Sequence, residues 1–497
     1  MNTMTIYSAS GIKTVPIAPD TLLSDVLHHE EPSFAMPCAG NHTCGKCRVR
    51  VEGAVSAPSA AECKLLSKQD LASGIRLACF CHAQGDVSIY LYEEGAAKII
   101  AWNKTAPFDH TETGYGIAVD IGTTTVAVQL FDRASGTVLA ERLAENRQRG
   151  YGADVISRIE ACKSDGLDTL SDLIANQLEE MSAECLKEAD IDTVDEAVVT
   201  GNSTMLHLYE GLDPASLAVV PFDVQSYFGC MSRRTLAGAP VYLPRCIGAY
   251  VGADIICAIL ASGMTHQDGV QLLADIGTNG EMALLHKGRL LCCSTAAGPA
   301  FEGAGLSQGM PAAAGAIRAV HMENGQVCYE TVQDKPAIGV CGSGILDALR
   351  LMLENETIDD SGYLDEDYEI GNSGVTIIQK DVRQIQLAKS AICAGVITLL
   401  EEEGIEAADV TRFCIAGGFG SSMDYDSACA IGLFPAALRD KTEFIGNGAL
   451  GGAAMLLMNH SLREYSENLA KNATELSLSA SAAFMDYYVD CMSFMAF

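Results

Sequence analysis

The residues most able to do chemistry in this chain begin with a run of thiols. Cys38, Cys44 and Cys47 stand with five and then two residues between them, and Cys79 follows after 31 more. Thiolates so spaced are the usual ligands of an iron-sulfur cluster, and the run departs from the plant-type 2Fe-2S pattern only by one extra residue in the first gap. Gly40 and Gly45 let the loop wrap the inorganic sulfurs and aim backbone N–H groups at them. A structural zinc normally wants two Cys-x2-Cys pairs, and only one occurs here. The fourth ligand is open between Cys79 and Cys81. Cys79 is favoured because it ends the apolar approach 75–78, whereas Cys81 adjoins polar His82. Cys63 reads as a plain thiol in a helical segment, and His42 and His82 as surface histidines.

The second chemical feature is a repeat. Asp120-Ile121-Gly122-Thr123 returns 155 residues later as Asp275-Ile276-Gly277-Thr278, each time at the end of an apolar run and before another, 126–131 and 282–285. A tight glycine turn with hydroxyls and free N–H groups cradles polyphosphate, and a carboxylate at the strand end holds hydrated Mg2+. One Asp-x-Gly turn is weak evidence; two with the same core point to nucleotide binding by two related lobes. Cys414-Ile415-Ala416-Gly417-Gly418-Phe419-Gly420 adds a strand running into a glycine turn, suited to packing on a purine or ribose. The small residues of 446–453 suit a close helix contact. Gly201-Asn202-Ser203-Thr204 and Cys341-Gly342-Ser343-Gly344 are glycine turns that either line the site or serve architecture.

Asp120-Ile121-Gly122-Thr123, Asp275-Ile276-Gly277-Thr278 and Ala416-Gly417-Gly418-Phe419 resemble the two phosphate motifs and the adenosine motif of the actin, sugar kinase and heat-shock ATPase superfamily. With the thiol-rich N-terminus, nearly all 497 residues resemble the reductive activators of corrinoid proteins. The resemblance implies an α/β chain in which a β-grasp, ferredoxin-like 2Fe-2S domain precedes a two-lobed actin/sugar-kinase-like ATPase fold. It implies ATP-driven one-electron reduction of a partner's Co(II) corrinoid to Co(I), in support of methyl transfer or O-demethylation in an anaerobic setting. The partners would be a corrinoid protein and an unidentified low-potential electron donor, and a homodimer is compatible with the reading. The cluster would sit on Cys38, Cys44, Cys47 and Cys79. Asp120 and Asp275 would hold Mg2+ through water, and Asp275 or Glu281 would orient the attacking water. Gly122, Thr123, Thr124, Gly277, Thr278 and Asn279 would grip the phosphates of ATP, and Gly417 and Gly418 would pack on adenosine. The stretch 296–303 would lie near the partner interface, with Ser294 or Glu302 approaching the cobalt. Two departures are expected: a short linker lacking the middle domain of longer members, and a segment 146–154 that matches the family only in part, leaving Arg147 without an assigned role. The rival readings are a small-molecule kinase with a redox-sensing 2Fe-2S domain and a nucleotide-gated actin-like scaffold.

These residues need elements to position them. Strands are expected at 4–8, 15–17, 48–53 and 86–92, with an amphipathic helix over 22–27 capped by Asp20 and Thr21. Leu170, Leu173, Ile174, Leu178 and Met181 recur at helical spacing, as do Val382, Ile385, Ala388, Ile392, Val396 and Leu399 before Gly404. The expected domains are 1–92 for the 2Fe-2S domain, 93–113 for a linker and 114–497 for the two-lobed ATPase, with the second phosphate hairpin near 270–288. Adjacent Cys292 and Cys293 read as buried thiols, and the apolar end 484–497 as a segment docked on the nucleotide lobe. With 64 acids against 32 bases the net charge is −32, which repels nucleic acid and anionic membranes. No apolar run reaches the ~20 residues of a spanning helix, no export signal opens the chain, and 19 dispersed cysteines fit reduced thiols, so a cytoplasmic protein is expected.

Overall fold

The computed structural model describes residues 2–8, 11–31, 34, 36, 38, 40–42, 45–66, 68–91, 102, 108–420 and 423–495. Cys44 and most of the expected linker lie outside the described residues. The chain forms two compact units, residues 1–95 with 145–177, and residues 96–144 with 178–497.

In the first unit, period-2 alternation builds a mixed sheet in the order Gly11–Ile17, Asn2–Ser8, His82–Tyr90, Arg48–Val55, Ile75–Leu77. Its centre is parallel, with Met4 against Val87 and Ile6 against Ile89. Met4, Ile6, Val49, Val51, Val87 and Ile89 are buried in one core with Leu23 and Leu27 of the helix Leu23–Glu30, which is the helix-on-sheet plan of a β-grasp domain. The expected caps of that helix are corrected. Thr21–Leu22 pairs with His82 and Ala83 as a short strand, Asp20 takes a left-handed φ of 65°, and no side chain caps the helix. The sheet contact claims the residues that local propensity assigned to capping. Residues 145–177 add a turn capped by Asn146, the helix Val155–Ala161 capped by Asp154, and the start of the helix Leu167–Ala189. Tyr151 packs its ring 4.5 Å from that of His28.

In the second unit both lobes share one plan. The meander Tyr115–Ile121, Thr125–Asp132, Thr137–Glu145 is extended from its first strand by parallel Glu196–Gly201 and Ala239–Leu243. The meander Val270–Ile276, Gly280–His286, Arg289–Thr295 is extended in the same way by Val410–Ala416 and Thr442–Gly446. The repeat read from one hairpin therefore extends over whole half-sheets. After its last parallel strand each lobe sends out a helix, Ala253–Ser262 and Gly448–Met458, and the two pack together. A Cβ at Gly452 would run into the backbone of Cys257, and one at Gly448 would lie 3.1 Å from the Cβ of Ala258. The small residues of 446–453 are thus what allows the contact.

The second lobe also carries a sheet of Gln326–Thr331, Ala316–Glu323 and Gly339–Val340 and the helices Gly342–Glu354 and Gln379–Glu403. Val382, Ile385, Ala388, Ile392, Val396 and Leu399 are all buried, and Gly404 ends their helix at φ 67°. The C-terminal segment docks on it: Gln386 Nε2 donates to the Met492 carbonyl at 2.9 Å and Lys389 Nζ to the Ser493 carbonyl at 2.7 Å. Cys292 and Cys293 are fully buried on one strand, so their thiols point to opposite faces. Among the described residues no helix is long and apolar enough to cross a membrane.

One buried ion pair braces the thiol-bearing turn. Arg76 Nε and Nη2 donate to the two oxygens of Glu62, each at 2.9 Å, and the Leu77 N–H donates to the same carboxylate at 2.9 Å. Glu62 is wholly inaccessible to water. Removing it strands a buried guanidinium, so Glu62→Ala is expected to cost about 3–5 kcal/mol, read as an earlier first transition when the full chain is unfolded in urea. Cys63→Ala, at the exposed next position, should leave that transition in place.

Candidate functional site

The register of two strands brings the first thiols together. Arg48 pairs with Leu77, and the Ala78 N–H donates to the Cys47 carbonyl at 2.8 Å, so the residues flanking that ladder are neighbours. Cys47 Sγ lies 3.2 Å from Cys79 Sγ, both are buried, and the field of Cys38 acts on Cys47. Gly40 and Gly45 have φ values of 77° and 65°, where a side chain would be strained. Cys81 has other neighbours. It is fully buried beside Arg76, Glu62 and Ser56, and burial pushes it up to about 11. The His42 ring packs tilted against Phe80 with centroids 4.3 Å apart, and His82 Nδ1 lies 3.0 Å from the Asp20 carbonyl. Soft sulfurs this close in an apolar pocket fit iron of a 2Fe-2S cluster and do not fit a hard dication.

The second site is built by the two hairpins. Thr124 Oγ1 and Thr278 Oγ1, one from each hairpin turn, lie 2.7 Å apart, and both donate to Glu302 Oε2 at 2.8 and 3.0 Å. Thr123 Oγ1 accepts from Asn202 Nδ2 at 3.0 Å, and Asp120 Oδ2 accepts from Asn447 Nδ2 at 3.0 Å. Both asparagines are helix N-caps whose Oδ1 accepts from the helix backbone, Met205 N and Leu450 N, and that bond aims the amide NH2 at the site. Asp275 stands opposite Glu281 in the ladder, whereas the residue opposite Asp120 is Ala127. The lobes thus share a plan but not a chemistry. Ser294 Oγ donates to Glu281 Oε1 at 3.4 Å.

Four carboxylates gather here. Burial pushes Asp120 up to about 6, partly offset by the Asn447 bond. Burial and the charge of Asp120 push Asp254 up to about 7. Asp275 rises to about 8 by burial and then by Asp254, Asp120 and Glu302, and Glu281 lies well above the usual range by burial, Asp254 and Asp275. Asp120, Asp254 and Asp275 keep part of their surface open to water, so the cluster is deep and still reachable. Hard oxygen donors that repel one another fit a hydrated divalent cation, whose charge would relieve the crowding.

The glycine motifs divide by role. A Cβ at Gly417 would clash with the Ile276 carbonyl and lie 2.9 Å from Asp275 Oδ1, while one at Gly418 would meet nothing within 4 Å. Gly417 is therefore needed for packing beneath the carboxylates, and Gly418 borders open space. Gly342 and Gly344 abut the Phe301 and Ile317 carbonyls and belong to the architecture, whereas Asn202 of the other turn reaches the site. Glu302 and Ser294, expected near a partner, lie beside the four carboxylates, the charge of Glu302 acting on Asp275 and Ser294 bonded to Glu281. Sequence reasoning missed Asp254 and Asn447, and left Asn202 open between lining the site and architecture. The signal available for all three was a glycine turn leading into an apolar helix, with a polar residue at its start.

Comparison with known proteins agrees with this layout. Residues 8–84 match the 2Fe-2S iron-sulfur cluster binding domain, 115–267 the RACo middle region, and 269–496 the C-terminal domain of RACo, the ASKHA domain. The middle-region match corrects the expectation that such a region is lacking. The chain is 34% identical to the corrinoid activation enzyme RamQ of Eubacterium limosum over 414 residues, 76% of this chain and 69% of that one. It is 27% identical to the [Co(II) methylated amine-specific corrinoid protein] reductase of Methanosarcina barkeri over 420 residues, 76% and 77% of the two chains. The solved reductive activator for corrinoid,iron-sulfur protein superposes with a TM-score of 0.71 at 28% identity, covering 99% of this chain and 98% of that one. A 2Fe-2S domain joined to an ASKHA domain, with identity of this extent to RamQ, makes the chain a member of the family of corrinoid reductive activators.

Proposed function

We propose that this protein reduces a partner's protein-bound corrinoid from Co(II) to Co(I), one electron at a time and at the expense of ATP, in support of methyl transfer or O-demethylation. The observation that carries the reading is the contact of Thr124 with Thr278, which joins the two phosphate turns on a chain that also holds a thiol-lined 2Fe-2S domain. Bound by Cys38, Cys44, Cys47 and Cys79, the cluster supplies one-electron chemistry. Cys47 and Cys79 bury the soft donors at 3.2 Å, and the separate surroundings of Cys81, beside Arg76 and Glu62, support its exclusion from the ligand set.

Asp120, Asp254 and Asp275 hold Mg2+, and Thr123, Thr124, Thr278 and Asn279 position the phosphates of ATP. Glu281 orients the attacking water, a role supported by its place opposite Asp275. Gly418 lies against adenosine, supported by the open space beside it. ATP matters because of the energetics of the acceptor. A one-electron gap of 100 mV costs roughly 2.3 kcal/mol, so a ferredoxin domain alone reduces only a small fraction of a lower-potential partner. A nucleotide alters that balance only by favouring one of two states of the complex. Here that is a state in which the Co(II) protein is engaged.

Three outcomes test the reading. Cys79→Ser should abolish the visible absorption of the cluster, as should Cys38→Ser, Cys44→Ser and Cys47→Ser, while Cys81→Ser should retain it; the reverse pattern for Cys79 and Cys81 overturns that ligand set.

Stability should depend on pH through the carboxylates. Asp254 and Asp275, with folded values of about 7 and 8 against an ordinary 3.8, hold protons when folded that the unfolded chain has lost. Their contribution is complete below the ordinary value and vanishes as pH rises through the folded one. In chelator the melting temperature should therefore fall between about pH 5 and 8. Mg2+ should offset the fall, and Asp275→Asn should flatten it.

Anaerobic mixing with a Co(II) corrinoid protein, reductant and ATP, followed by the Co(I) optical spectrum, tests the function itself. Wild type should accumulate Co(I). Asp120→Asn, with unchanged iron content, should lose about 100-fold in ATP turnover and fail to accumulate Co(I). Full Co(I) formation by that variant would separate ATP from the reduction.

A further inference from the structure

Away from both sites, three metal-binding side chains meet on the hairpin of Ala316–Glu323 and Gln326–Thr331. His321 pairs directly with Cys328 across the antiparallel ladder, and Glu323 pairs with Gln326. Side chains alternate between the faces of a strand, so His321 and Glu323, two residues apart, project from the same face as Cys328. An imidazole nitrogen, a thiol sulfur and a carboxylate oxygen thereby lie within 4.8 Å of one another. His321 and Cys328 are half-buried and Glu323 is exposed. Among the described residues, none of the three side chains has a hydrogen bond or ion pair with another protein group. The two-residue loop Asn324-Gly325 has φ values of 50° and 79°, the left-handed pair that fixes a tight hairpin register. The backbone thus sets the donors side by side before any ion arrives.

We propose that His321, Glu323 and Cys328 form a binding site for a zinc-like divalent transition-metal ion, with water in the fourth position. Metal–ligand distances of about 2.0–2.3 Å place the donors of a tetrahedral site roughly 3.5 Å apart. A thiolate and an imidazole select against Mg2+ and Ca2+, so the site is chemically distinct from the all-oxygen carboxylate cluster. Binding releases the Cys328 thiol proton, and the bound ion ties the two strands of the hairpin together.

The test uses the full-length, cluster-loaded protein in excess Mg2+, which leaves soft sites as the remaining acceptors of added metal. Co2+ is titrated first, because its bond to a thiolate gives a near-ultraviolet charge-transfer band in difference spectra. Wild type should develop this band with one equivalent of Co2+ and lose it on addition of Zn2+. Cys328→Ser should lack the band, and Cys328→Ser and His321→Ala should each bind one equivalent of Zn2+ less than wild type by equilibrium dialysis. Glu323→Gln should weaken zinc binding about tenfold. An unchanged circular dichroism spectrum and unchanged urea unfolding of the full chain in all variants show that they are folded. The proposal is overturned if Cys328→Ser keeps the band and the zinc stoichiometry of wild type.

Discussion

Crowded negative charge is the constraint on which the second unit depends. Asp120, Asp254, Asp275 and Glu281 act on one another in a site that protein atoms have largely stripped of water. Such groups stay together only if the surrounding structure outweighs their repulsion, or if protons or a cation reduce it. The meanders fix Asp120 and Asp275 at strand ends, and the capping asparagines bring amide donors to the rim. The glycine-lined contact between Ala253–Ser262 and Gly448–Met458 holds the starts of two helices, with Asp254 and Asn447, at the same point.

The pseudo-symmetry of the lobes shows how this site is specified. Each half-sheet delivers one Asp-Ile-Gly-Thr turn, and a turn alone offers one carboxylate and a few donors. Joined, the turns place hydroxyls of opposite lobes in contact and under one acceptor, Glu302. The symmetry breaks at one ladder position: Glu281 stands across from Asp275, while Ala127 stands across from Asp120. The lone tryptophan belongs to the same design. Trp102 donates to the Ala261 carbonyl at 3.3 Å and covers Gly451, where a Cβ would collide with its ring, so it braces the helix pair.

The first unit solves a different problem, the burial of soft sulfur. Its sheet register makes Cys47 and Cys79 neighbours, and the Glu62–Arg76 pair secures the strand that delivers Cys79. Two cysteines separated by one residue consequently have unlike surroundings, Cys79 beside a thiol and Cys81 beside a hydroxyl and an ion pair.

What the sequence by itself determined is whatever depends on short-range spacing. The thiol run, the repeated Asp-Ile-Gly-Thr, the helical period from Val382 to Leu399 and its glycine stop are all local patterns, and the elements they imply follow from 2.0- and 3.6-residue geometry. Tertiary structure alone decided which residues share a site. Asp254 and Asn447 lie 193 residues apart and carry no motif, yet packed helices bring both to Asp120. Glu302 became an acceptor for both Asp-Ile-Gly-Thr hairpins only because the lobes meet, and Asp20 lost its capping role to a strand pairing some 60 residues distant. Electrostatic coupling and hydrogen bonding act through space. Contacts between residues far apart in the chain leave no periodicity to read, and the folded arrangement is what reveals them.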